Sequence, residues 1–77
     1  MNKPLLMSQI VGHNDTQITV AEAMGLSLSR FNAKINEREG AEFTQGEIQF
    51  LIDRYQLTAD AVKAIFFCPQ GYIEDVT

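Results

Sequence analysis

Thr44 and Glu47 stand three residues apart just ahead of Ile48, Leu51, Ile52 and Tyr55, which recur at i, i+3, i+4 and i+7. A threonine able to accept from the third helical amide, a glutamate able to reach back to the cap, and an apolar stripe of helical period are together hard to build into a strand. The pattern predicts a helix over Gln45–Tyr55. Thr58 opens a second one, with Asp60 in its first turn and Ala61, Val62, Ile65 and Phe66 on one face, predicting a helix over residues 59–67. Pro69 and Gly71 stop it, and residues 71–76 read equally as a short strand or a frayed tail.

The first half carries shorter helices. Pro4 suits the first turn of one bearing Leu5, Leu6 and Ile10, and residues 12–15, Gly-His-Asn-Asp, read as a loop. Thr16 caps a second helix carrying Val20, Ala21 and Met24, which ends at Gly25, the residue that adopts a left-handed terminus most easily. Ser27 caps a third over residues 28–37, burying Phe31 and Ile35 with Leu28 one turn earlier. Five short helices and no repeat predict an all-α fold, and 77 residues suffice for one core but not two. The domain is expected to span residues 1–68, with residues 69–77 as a tail.

No apolar run approaches the roughly 20 residues that span a bilayer, so a soluble, cytoplasmic protein with no membrane partner is expected. One cysteine, Cys68, and one distant histidine, His13, build neither a disulfide nor a metal site. Cys68 reads as an inert small hydrophobe and His13 as a loop residue. Glu37, Glu39 and Glu42 are spaced like a solvated loop rather than an acid–base pair, so neither enzymatic activity nor a cofactor is expected.

Net charge is −4, against a polyanion partner in bulk, yet the charge is unevenly placed. Residues 1–26 hold Lys3 against Asp15 and Glu22; residues 27–38 hold Arg30, Lys34 and Arg38 against Glu37; the rest holds Arg54 and Lys63 against seven acids. Only the middle segment is basic, so contact with a polyanion is expected there, with the acidic C-terminal half turned away.

Residues 17–36 resemble the helix-turn-helix of the phage Cro and repressor class, the lambda-repressor-like domain: Gln17 opens it, small Ala21 sits where two helices cross, Gly25 makes the turn, and Phe31 is buried in the recognition helix. Gly-Leu-Ser at 25–27, Lys-Ile-Asn at 34–36, Phe-Thr-Gln at 43–45 with Glu47 and Ile48, and Ile-Phe-Phe at 65–67 extend the likeness to small Cro-like regulators over roughly 50 of the 77 residues. The resemblance implies a regulator of phage or prophage genes that binds operator DNA. Where that family often carries glycine just after the recognition helix, this chain has Glu37, and the loop over residues 38–42 carries two acids.

With Phe31 and Ile35 inward, the opposite face of the third helix centres on Ala33 and Ser29, flanked by Asn36, Asn32 and Arg30. Under the resemblance these enter the major groove. Ser29 and Ser27 lie near the helix start, Leu28 is suited to a thymine methyl, and Asn32 to a bidentate pair with adenine. Arg30 suits guanine or phosphate; Lys34, Arg38 and Gln17 are assigned to the DNA backbone. Arg30 and Lys34 also form an exposed like-charge pair at i, i+4, which a polyanion would relieve. A two-fold dimer reading grooves about 34 Å apart is expected, formed off DNA or only on it. Phe66 belongs in the core, and Phe67 is either partly exposed or a dimer contact; Tyr72 and Ile73 are either tail or an arm pairing with a second copy. The rival reading is a protein-interaction module whose acidic C-terminal half binds another regulator.

Overall fold

The computed structural model describes residues 1–67. In chain order they form α1 (Lys3–Gly12), α2 (Gln17–Ala23), α3 (Leu28–Ile35), a single 3-10 turn at Arg38–Gly40, α4 (Gln45–Tyr55) and α5 (Ala59–Phe66). The fold is all-α, with no strand among the described residues. Cys68, the Pro69 and Gly71 stop, and the tail with Tyr72 and Ile73 lie outside them.

Each helix begins on a small polar side chain that accepts one of its free backbone amides. Asn2 accepts from Leu5, Thr16 from Thr19, Ser27 from Arg30, Thr44 from Glu47 and Thr58 from Ala61, at 3.1 Å in every case. Such a cap satisfies a donor that would otherwise face water or the core, worth about 1 kcal/mol each. At Thr44 the box closes, with Glu47 Oε1 accepting the Thr44 amide at 2.9 Å.

The other ends are equally regular. Asn14, Gly25, Glu37 and Gln56 follow α1 to α4 with φ of 62, 76, 53 and 50°, all left-handed. After α2 the Gly25 amide donates to the Glu22 carbonyl at 3.0 Å and the Leu26 amide to the Ala21 carbonyl at 2.8 Å, the paired bonds that reverse a chain after a helix. The same long bond follows α1, from Asp15 to Ile10 at 2.9 Å, and α4, from Leu57 to Ile52 at 3.0 Å.

Four boundaries differ from expectation. α2 ends at Ala23 and leaves Met24 as its cap. Gly12 ends α1 rather than opening the loop, because Asn14 and not Gly12 supplies the left-handed residue. α3 stops at Ile35, two residues early, because Glu37 has turned left-handed. α5 stops one residue early, at Phe66, with Phe67 as its cap.

The core draws on every helix: Leu6 and Ile10, Val20 and Ala21, Phe31 and Ile35, Leu51 and Tyr55, and Ile65, with Phe43 joining from the loop before α4. Phe43 packs on α3 through a tilted ring contact with Phe31, centroids 5.7 Å apart. α1 lies on α5, and the Asn2 amide donates to the Ile65 carbonyl at 2.6 Å, tying the start of the chain to α5. Phe66 is half-buried against the core and Phe67 is 63% exposed.

Candidate nucleic-acid interface

α2 and α3 are joined by four residues, 24–27, and pack directly on each other. The buried Ala21 lets the two backbones approach, and Gly25 takes a φ that an alanine would reach only at a cost of about 1 kcal/mol. A Cβ at Gly25 would meet nothing within 4 Å, so that cost is backbone strain alone. Buried Phe31 and Ile35 fix which side of α3 faces out.

The outward side carries Ser29 and Arg30 exposed, with Asn32 and Ala33 half-buried. α3 itself holds no acid. Two shallow depressions flank it. One lies between α3 and the start of α2, lined by Thr16, Gln17, Ile18, Leu28 and Asn32. The other lies between α3 and the 3-10 turn, lined by Ser29, Ala33, Arg38, Glu39, Gly40 and Ala41. Ala33, expected at the most open point of the helix, is half-buried beside that turn.

Lys34 does not stand where the sequence placed it. Its ammonium donates to Glu47 Oε1 at 2.7 Å and Oε2 at 2.9 Å, and its side chain is only 11% exposed. The exposed like-charge pair with Arg30 does not exist, since Lys34 is both covered and neutralised. Burial raises the Glu47 pKa, but the Lys34 and Thr44 hydrogen bonds outweigh it and hold the carboxyl below the usual range. Lys34 therefore ties α3 to the first turn of α4 rather than reaching for a phosphate.

Asn36 is also engaged. Its Nδ2 donates to the Asn32 carbonyl at 2.9 Å and its Oδ1 accepts from Lys3 Nζ. Ser27 uses its hydroxyl oxygen as the α3 cap. The side chains of Gln17, Ser29, Arg30, Asn32 and Arg38, by contrast, make no hydrogen bond or ion pair among the described residues. Of the ten residues singled out from sequence, those five are the polar side chains with no partner among the described residues, with Leu28 and Ala33 as apolar neighbours.

The fold also gathers residues that sequence spacing did not bring together. Lys3 reaches the end of α3 through Asn36, and the Met1 ammonium lies 3.3 Å from Glu37 Oε2. Ile18, 54% exposed, joins Leu28, 40% exposed, across the α2–α3 seam. An isoleucine just after Gln17, off the Val20 and Ala21 face, was the available signal.

A second cluster braces the α1–α2 loop. Arg54 Nε and Nη2 donate to the Asp15 carboxylate at 3.0 and 3.2 Å, and Tyr55 Oη donates at 2.8 Å. Hydrogen bonds from Arg54, then Tyr55, hold the Asp15 pKa below its usual value, and burial followed by the bond to Asp15 pushes the Tyr55 hydroxyl up. His13 makes a tilted ring contact with Tyr55, centroids 4.8 Å apart and planes at 43°. No helix among the described residues is long and apolar enough to cross a membrane, and no three His, Cys, Asp or Glu side chains among them gather to hold a metal ion.

No protein-family model, curated protein or solved structure matches this chain.

Proposed function

We propose that the chain is a sequence-specific DNA-binding regulator of the phage Cro and repressor type, with α2, the Gly25 turn and α3 as its helix-turn-helix in a lambda-repressor-like arrangement of five helices. One observation carries the reading: α3 turns an acid-free face outward, with Ser29, Arg30 and Asn32 unpartnered on a helix whose other side is locked by buried Phe31 and Ile35. A rigid helix with free amide and guanidinium groups is what base-edge recognition in a major groove needs. The chain acts as a two-fold dimer on a site with half-sites about one helical turn apart.

Selection from a random pool of DNA duplexes at low salt tests it. A recurring motif with two related half-sites about 10 base pairs apart is expected; a pool that stays random overturns the reading.

A second reading, an acidic module that binds another regulator, has its own observation. Pairing with Glu47 removes Lys34 from the basic strip, and Glu39 shares a depression with Arg38. Heparin separates the two: a DNA reader is retained at low salt, whereas an acidic adaptor flows through.

A further inference from the structure

The depression between α2 and α3 combines two chemistries. Ile18 and Leu28 come from different helices, and both stay substantially exposed. Single exposed apolar side chains are ordinary, but these two line one depression with two primary amides, Gln17 and Asn32, that have no partner among the described residues. No acid lines the depression. The nearest one in sequence, Asp15, has both carboxylate oxygens taken by Arg54 and Tyr55, so the rim does not repel a polyanion.

An apolar wall beside an amide matches one base pair in particular. In the major groove an A·T pair presents the thymine 5-methyl on one base and, on the other, the adenine N7 acceptor and N6 donor that an asparagine amide meets with two hydrogen bonds. A G·C pair presents no methyl, and its guanine edge offers two acceptors, which an arginine suits better.

We infer that this depression selects an A·T pair, with Leu28 and Ile18 holding the thymine methyl and Asn32 pairing with adenine. The inference rests on the DNA-binding reading and joins the contacts that the sequence suggests singly for Leu28 and Asn32 into one A·T pair, with Ile18 as a second wall for the methyl. It also gives α2 a part in reading sequence, through Ile18, as well as in supporting α3.

The test replaces each thymine of a selected duplex, in turn, by uracil, which removes only the methyl group. Affinity is measured by fluorescence anisotropy for the full chain and for Leu28→Ala and Ile18→Ala; both positions are exposed, and circular dichroism checks that each variant folds. One thymine in each half-site is expected to lose about fourfold on demethylation, the worth of roughly one buried methyl. That loss is expected to shrink to nearly nothing in Leu28→Ala and to fall in Ile18→Ala. Sequence-specific binding with no uracil effect at any position, or an effect unchanged in both variants, overturns the inference while leaving the DNA-binding reading standing. A pool that enriches no sequence overturns both.

Discussion

Glu47 does two jobs with one carboxylate. It accepts the Thr44 amide at the start of α4 and both of its oxygens accept from Lys34 on α3. Glu47→Ala removes half of a capping box and strands a mostly covered ammonium, so it is expected to lower stability by about 1–3 kcal/mol. That would lower the melting temperature by roughly 4–8 °C per kcal/mol for a domain of this size. Lys34→Met is expected to cost less, because a thioether fills the same space and Glu47 keeps the Thr44 amide. Equal losses in the two variants would contradict this division of labour. The carboxyls of Asp15 and Glu47 both titrate below their ordinary values. A depressed folded-state pKa stabilises only while the group is ionised. Thermal stability should therefore hold from pH 7 to about 5 and fall from about pH 4 downward. The fall should be shallower in Asp15→Asn and Glu47→Gln, as thermal melts across that range would show. The capping half of Glu47 was legible in the sequence because box spacing is local. The Lys34 half was not, since thirteen residues separate the partners and no helical period links them.

At the scale of elements, helix starts were far easier to read than helix ends. Threonine and serine caps announce themselves by type, and Thr16, Ser27, Thr44 and Thr58 all cap as expected; only Asn2 went unread, behind the stronger signal of Pro4. The left-handed residue after a helix was legible only at Gly25, whereas the end of α4 at Tyr55 was read from its apolar stripe. Glu37 and Gln56 adopt the same left-handed turn without the residue type that advertises it, which is why α3 was expected to run on. Glu37 sits at φ 53°, where a glycine would carry no Cβ strain. Opposite substitutions test the point. Gln56→Gly is expected to gain about 0.5–1 kcal/mol, and Gly25→Ala to lose about 1 kcal/mol, measured by chemical denaturation. A loss at Gln56→Gly would mean that its side chain contributes more than its backbone strain costs.

Across the whole molecule, the fold redraws the charge map that sequence order suggested. The middle segment gives up Lys34 to Glu47, while α1 brings Lys3 to the end of α3 through Asn36. The outward direction of α3 was legible, because Phe31 and Ile35 fix it by helical period. The depressions on its two sides were not, because each needs a second element to form one wall. What remains for a polyanion is a sparse set led by Arg30 and Arg38, so affinity per subunit is expected to be modest. The salt dependence of binding to a selected duplex tests this most directly, because each phosphate contact adds about one to the slope of log affinity against log salt. We expect Arg30→Ala and Arg38→Ala each to flatten that slope, by up to about one, and Lys34→Met to leave it unchanged. A slope untouched by either arginine, or one that falls with Lys34, would contradict the assignment of this face to DNA.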